Sequence, residues 1–332
     1  MTLKIEHSPF LVAICLLLSL AACTSNKTVV SPSPNVNNAL TQTFKKSGGS
    51  SGMEQIDDCS YLAVYDLKKN AEDVRLGLIK VNDESLTVSP IPIHGWDKDG
   101  ISNDLESICA IPGKDNEYLI AESGNWQGEL GRIFHIRVDT SKLDARVLGT
   151  VKIPMHYRND FDVTGDQYEA IMCLPYDKNN RIVILGERGG SKNNPNGLVR
   201  WGILNIQEHT FEMSNEGITG IPVNAPGHWT NKATKRSITD FHLDQEGVIW
   251  AAASEDPGDT GPFYSIIYKL GKINPLDREK PFTIFKEINM AKEVNGFKIE
   301  ALSGPCKNIL GTHSFGTEDE IYGGVWRPIH IE

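Results

Sequence analysis

Apolar and polar residues trade places with a period of two along much of this chain, in short runs punctuated by polar turns. Arg132-Ile133-Phe134-His135-Ile136-Arg137-Val138 shows the alternation clearly and predicts a strand with one face on a core. One stretch, Asn103-Asp104-Leu105-Glu106-Ser107-Ile108-Cys109-Ala110-Ile111, has echoes further along. It returns as Asp166-Gln167-Tyr168-Glu169-Ala170-Ile171 and as Lys298-Ile299-Glu300-Ala301-Leu302. A weaker copy is Ile238-Thr239-Asp240-Phe241-His242-Leu243, in which aligning Phe241 with Ile108 puts Thr239, not Asp240, at the glutamate position. Positions 106, 169, 239 and 300 are 63, 70 and 61 residues apart. A strand-rich unit repeating at that spacing predicts propeller blades.

A second row of echoes follows the first: a polar turn, then an apolar strand ending in a small and a polar residue. Its members are Tyr61–Asp66, Leu119–Glu122, Val183–Glu187, Trp250–Glu255 and Leu310–His313. Five members predict an all-β fold, a β-propeller of five blades, with four and six as the alternatives. Blade five is read as Lys298–Leu302, Ile309–Thr312 and Gly324–Ile331, and blades one and five are each one strand short. Ring closure then mixes the chain ends in one blade, with residues near Met53–Asp57 available as a strand.

Turns from first to second strands are short, as in Pro112–Asn116, Tyr176–Asn180 and Asp244–Gly247. Loops from second to third strands and between blades are long, and in an up-and-down blade they all fall on one face. Long loops on a rigid scaffold are where sites form. Three inter-blade loops share a further feature. Ile91-Pro92-Ile93-His94 matches Ile153-Pro154-Met155-His156, and Ile221-Pro222-Val223 precedes His228. An aromatic residue (Trp96, Tyr157, Trp229) follows each histidine. These are either blade-junction packing residues or, together with His313, candidate general bases.

First strands line a propeller's axis, so Glu106, Glu169 and Glu300 are expected to point into one channel. Carboxylates held together repel, which raises their pKa values or demands a cation, and hard oxygen ligands suit Ca²⁺. Glu122, Glu187 and Glu255 are candidates for a second acidic ring. The alternative pairs each glutamate with a local arginine such as Arg132, Arg188 or Arg236. Asp97-Lys98-Asp99-Gly100 begins like a calcium loop, but its glycine is two residues early for an EF-hand, and the stretch reads as a turn.

A net charge of −10 and a pI of about 5.4 over 332 residues argue against a nucleic-acid partner. The first residues change the picture more. Lys4 precedes an apolar run, Phe10–Ala22, too short to span a bilayer. The run ends Leu20-Ala21-Ala22-Cys23, which resembles the lipobox of bacterial lipoproteins and implies lipidation of Cys23. Residues 1–22 are then a signal peptide, 23–57 a lipidated polar tether reaching roughly 30 Å, and 58–332 the propeller. Thr24 at the next position favours the outer membrane, so the expectation is a monomer on the bacterial cell envelope, held to the membrane by its N-terminal lipid. That oxidising compartment permits disulfides. Cys109 and Cys173 read as buried thiols, whereas Cys59 and Cys306 sit where they staple the two ends of the ring.

The repeated D-x-E-[GSA]-[IL] inner strand, followed by an apolar strand ending in glutamate, resembles the esterase-like-activity-of-phytase family and, more loosely, other calcium-binding propeller hydrolases. The resemblance covers roughly residues 59 to 331. It implies metal or active-site roles for Glu106, Glu169 and Glu300. Family members have glycine after the glutamate, where Ser107, Ala170 and Ala301 stand here. No P-loop, HExxH or CxxC occurs. Only Arg158, Lys232, Lys235 and Arg236 gather in the long-loop segments, too sparse a basic patch for phytate. Two function classes follow: a Ca²⁺-assisted hydrolase of an ester, lactone or phosphoester, or a non-catalytic lipoprotein whose long-loop face binds a small molecule, protein or glycan.

The lipid anchor has a direct test. Cys23→Ser should move the protein from the membrane to the soluble fraction, and unchanged membrane retention of the variant would end the lipobox reading.

Overall fold

The computed structural model describes residues 43–44, 49–82, 85–124, 131–153, 167–192, 194–258, 260–275, 277, 279–318 and 323–332. The signal peptide, Cys23, most of the tether and His156 lie outside the described residues.

Five sheets, antiparallel except for one short parallel edge pairing in the second, follow one another along the chain. A short strand, β1 (Thr43–Phe44), precedes blade one, which runs outward from β2 (Ser50–Asp57) through β3 (Ser60–Tyr65) and β4 (Leu76–Val81) to β5 (Leu86–Pro90). Blade two has β6 (Ile93–His94) at its outer edge and then β7 (Leu105–Ala110), β8 (Glu117–Glu122), β9 (Arg132–Asp139) and β10 (Asp144–Lys152). Blade three contains β11 (Tyr168–Pro175), β12 (Asn180–Glu187), β13 (Gly197–Asn205), β14 (Thr210–Met213), the helix α1 (Asn215–Thr219) and β15 (Ile221–Val223). Blade four contains β16 (Lys235–Leu243), β17 (Val248–Glu255), β18 (Tyr264–Ile273), β19 (Phe282–Ile284) and β20 (Met290–Asn295). Blade five, β21 (Ile299–Ser303), β22 (His313–Thr317) and β23 (Gly324–Ile329), takes β1 as its fourth strand, with Thr43 opposite Val325. The protein is a five-bladed β-propeller closed by its N-terminal strand.

The near-continuous apolar runs have a simple cause. Each inner strand is covered on both faces, so alternate residues feed different cores. In β11, Ile171 and Cys173 join the core between blades two and three, while Ala170, Met172 and Leu174 join the one between three and four. Three further cores fill the remaining blade junctions, including the one between blades five and one. There Trp326, fully buried, packs 5.8 Å from Tyr61. The Cys59–Cys306 disulfide crosses the same junction, joining the β2–β3 turn to the loop after β21.

Two sequence-derived boundaries are corrected. The tether does not extend to residue 57: Ser50–Asp57 is the innermost strand of blade one. Its polar, small composition reads as linker because the inner strands crowd one another. A Cβ on Gly52 would lie 2.7 Å from Glu106 O and Ser107 Cα. The second strand of blade five is His313–Thr317 rather than Ile309–Thr312, and Leu310, the most strand-like residue of the mistaken segment, is 80% exposed.

The disulfide closes a loop of 247 residues. On the chain-entropy account its removal costs about 2–5 kcal/mol, or about 5–10 °C in a domain of this size. The Cys59→Ala/Cys306→Ala variant should melt lower by that amount in calorimetry, and reductant should have the same effect on the wild type. A wild type indifferent to reductant would show that the bond is not a ring closure.

Candidate active site on the propeller axis

The entry to each inner strand is built the same way. In β7, β11 and β21 the register with the second strand slips by one residue, between Leu105 and Ser107, Tyr168 and Ala170, and Ile299 and Ala301. The extra residue is the glutamate each time: Glu106, Glu169 and Glu300. In β2 the same slip falls on Ser51. A bulge re-aims the side chain it carries. Here it turns a residue that alternation alone would pack between blades towards the axis, on the long-loop face where inner strands begin.

Backbone hydrogen bonds fix these entries across blade boundaries. Asp104 N–H donates to Leu67 O (3.1 Å), Tyr168 N–H to Ser123 O (2.8 Å) and Ser237 N–H to Arg188 O (2.6 Å). Asp104 sits in the left-handed region at φ 66°, which aspartate tolerates better than most residues. Its carboxylate accepts from Ser123 Oγ (2.8 Å) and ion-pairs with Lys68.

Glu106, Glu169 and Glu300 are all buried, and they act on one another: Glu169 raises the pKa of both Glu106 and Glu300. Burial is the larger cause for all three. Glu169 is 3.3 Å from Arg188 Nη1, and the Arg188 and Arg236 charges partly offset its burial. Lys298 Nζ bridges Glu300 (3.2 Å) and Glu318 (3.0 Å). Burial and Glu300 push Glu318 well above the carboxylate range. Burial, followed by the Glu318 charge, pushes Asp66 up to about 8. The axis therefore holds more carboxyls than can ionise together at neutral pH.

Side-chain oxygens of Asp66, Asp104 and Glu106 all lie within 4.8 Å of one another, the one such group among the described residues. The carboxyl oxygens that converge are thus those of Asp66, Asp104 and Glu106 rather than of Glu106, Glu169 and Glu300, since Glu169 pairs with Arg188 and Glu300 with Lys298. Three hard oxygens suit a divalent ion such as Ca²⁺. Lys68, whose side chain is 62% exposed, occupies the Asp104 carboxylate of this group.

The second acidic ring is also corrected. Glu122 accepts from Asn103 N–H (2.7 Å) and from the Arg132 backbone and guanidinium, the latter at 2.6 Å. Arg132 in turn ties down Asp97 (2.8 Å) and Gly100 O, so the Asp97–Gly100 stretch is a turn. Glu187 pairs with buried Arg200, which holds the carbonyl of Ile218 in α1. Glu255 accepts from Asn231 N–H (2.5 Å). All three carboxylates anchor loops.

The described candidate bases, His94, His228 and His313, do not reach the axis. His94 lies on the outermost strand of blade two, 3.1 Å from Asp144. His228 is exposed in the loop between blades three and four. His313 opens β22 at the opposite, tight-turn end, 4.5 Å from Trp250. The isoleucine–proline–histidine echo marks blade junctions, where Trp96 packs edge-on to Phe134 at 5.0 Å. Missed from sequence were Asp104, Lys298, Glu318 and Asp66. The first two stood in the repeat beside their glutamates. Glu318 ends Ser314-Phe315-Gly316-Thr317-Glu318, an instance of the strand-then-acid signal ending five residues beyond His313, where it was sought.

No family model and no curated protein sequence matches the chain, so the phytase-like resemblance rests on its short motifs alone. Solved structures with a similar chain course include a thermostable family-43 glycoside hydrolase (9% identity, TM-score 0.46, covering 86% of this chain and 89% of that one). Another is the endo-arabinase from Bacteroides thetaiotaomicron (10%, 0.45, 87% and 97%). A luciferin-regenerating enzyme is a third (10%, 0.38, 88% and 96%).

The axial carboxyls make stability pH-dependent with a definite sign. A carboxyl whose folded pKa is raised binds more protons when folded, so stability falls as pH rises from its unfolded to its folded pKa. Asp66, raised to about 8, and Glu54, raised by burial to about 7, both release protons as the folded protein approaches pH 8. His242 and His313, lowered by burial to about 4, contribute the opposite slope, but only below pH 6.5. Chelator-treated protein should therefore lose melting temperature between pH 6.5 and 8, and Asp66→Asn should flatten that decline. An equal slope in the variant would place Asp66 outside the proton-sharing cluster.

Proposed function

We propose that this protein is an envelope-anchored hydrolase of an ester, lactone or phosphoester, working at the long-loop end of the propeller axis with Ca²⁺ held by Asp66, Asp104 and Glu106. The observation that carries the reading is the convergence of those three carboxyls beside Glu169 and its arginines. A structural role alone gives no reason to gather carboxyls that raise one another's pKa, since uncompensated buried charge costs stability. The ion would supply Lewis acidity and a fixed template for a polarised oxygen.

The chain's own groups have distinct parts. Glu169, oriented by Arg188, is the general base for the attacking water, the role first sought among the histidines. Arg188 and Arg236 face negative charge developing on the substrate. Glu300 and Glu318, bridged by Lys298, hold a proton near the leaving group. Binding without catalysis, on a protein or glycan, would require neither the shared protons nor the arginine-backed carboxylate.

A second reading has one observation in its favour. Lys68 and Lys298 already neutralise part of the cluster, which suits acid–base hydrolysis without a metal, one carboxyl protonated and another ionised.

Melting temperature and turnover of p-nitrophenyl acetate and p-nitrophenyl phosphate, with and without chelator, separate the two. Ca²⁺ at a hundredfold excess over Kd stabilises by about 2.7 kcal/mol, about 3–6 °C here. Chelation should lower the melting point and stop turnover, Ca²⁺ should restore both, and Asp104→Asn should abolish the Ca²⁺ response. Glu169→Gln should cut kcat by about 100-fold or more while leaving the Ca²⁺-dependent melting shift in place. Chelator-insensitive turnover that still depends on Glu169 supports the metal-free reading. Absence of turnover on every ester and phosphoester, Ca²⁺ present, rejects hydrolysis of these classes.

A further inference from the structure

Away from the axis, blades three and four enclose a cleft of about 800 Å³. Its walls come from β15, the loop that follows it, and the segment after β19. One side is apolar, with Ile221, Phe285 and the half-buried indole of Trp229. The other presents Lys232, Lys235 and Lys286, and no carboxylate lines it among the described residues. In a chain with net charge −10, three ammonium groups around an acid-free cavity are not a sampling of the average surface.

Lys235 is the informative member. It is 6% exposed, and its ammonium bonds the neutral side-chain oxygen of Asn224. Its cross-strand partner is Glu255, but that carboxylate is turned to the Asn231 N–H. Burial, with Lys232 adding to it, holds Lys235 below the usual lysine range. A buried cation without a counter-charge costs stability unless something else supplies the charge. The next residue, Arg236, projects from the opposite face of β16, where it pairs with Asp256 at 3.6 Å and acts on Glu169. One strand thus serves two separate sites.

The wall opposite is preorganised. Trp229 Nε1–H donates to Ala225 O (3.2 Å) and Pro226 O (3.1 Å), and the ring packs edge-on to Tyr264 at 5.1 Å. A fixed aromatic with a few convergent polar groups is the ordinary make-up of a small-molecule site. Three lysines act as point charges without the planar fork that guanidinium offers a carboxylate, and they match a tetrahedral dianion in charge and shape.

We propose that the cleft between blades three and four binds a phosphate monoester with an apolar or ring-shaped body. Lys232, Lys235 and Lys286 hold the phosphate, and Trp229, Phe285 and Ile221 receive the body. The site is independent of the axial carboxylates and stands whether or not they hydrolyse anything.

Calorimetric titration with phenyl phosphate, benzoate and benzyl alcohol, in low-salt buffer free of phosphate, tests the proposal. Phenyl phosphate should bind, benzoate about 10-fold more weakly or worse, and benzyl alcohol not measurably. Lys235→Met should weaken phenyl phosphate about 10-fold or more and raise the melting temperature of the unliganded protein, because it removes an uncompensated buried charge while keeping the stem. Lys232→Ala and Lys286→Ala, at exposed positions, should each weaken binding without changing the melting point. Glu169→Gln on the axis should leave the affinity unchanged. Equal binding of benzyl alcohol or benzoate, no binding of phenyl phosphate, or unaltered affinity in the lysine variants would each overturn the assignment. So would a fall in the melting point of Lys235→Met, which would make Lys235 a strut for Asn224.

Discussion

Everything at the axis depends on the belt of main-chain hydrogen bonds that ties the end of one blade's second strand to the start of the next blade's first. Leu67 O, Ser123 O and Arg188 O each accept an N–H from the following blade. Main-chain groups buried at blade boundaries must find partners. Meeting that requirement sets the depth at which each inner strand enters the channel. With the entries fixed, one-residue bulges at Glu106 and Glu169 follow directly, and Ser51 and Glu300 occupy the same register slip in their own blades. The carboxyls are brought together by backbone geometry, against their mutual repulsion.

Repulsion on this scale persists only in a ring that does not spread. The five inter-blade cores resist spreading, and the junction where the chain ends meet is secured three ways: β1 added to blade five, Trp326 packed by Tyr61, and the Cys59–Cys306 bond. Those fastenings belong to the same energetic problem as the site. Asp66 and Glu318 come from blades one and five, so two of the acidic groups face each other across the seam. An opening there would relieve their repulsion and dissolve the cluster in one motion.

Much of the fold was legible, because burial on both faces of each strand writes a strong apolar signal and the blades repeat it. The failures share a cause. At the axis the strands approach too closely for large side chains, and a Cβ on Gly316 would meet Ser50 Oγ at 2.1 Å. The chain there is Ser50-Ser51-Gly52, chemically a linker and structurally an inner strand. In blade five the true second strand, His313–Thr317, has one large apolar residue, while Ile309-Leu310, of which Leu310 is exposed, imitates a strand. The glutamates of the site were visible because the repeat displays them. Asp104, Lys298 and Glu318 were harder to see because they differ from blade to blade, and a repeat conceals whatever it does not repeat.

That asymmetry gives the axis its chemical character. The residue two before the bulge is Asp104 in blade two, Gln167 in blade three and Lys298 in blade five, although the backbone is built alike. Five equivalent glutamates would make a symmetric ring of anions, fit to pass or trap a cation. Here a lysine stands beside one glutamate, an arginine beside another, and an aspartate paired with Lys68 beside the third. Each carboxyl is therefore raised by burial but faces a different set of neighbouring charges within a space of a few side chains. Acid–base chemistry needs such a difference, since one group must give a proton while its neighbour takes one. The propeller supplies the proximity, and the divergence among its repeats supplies the difference.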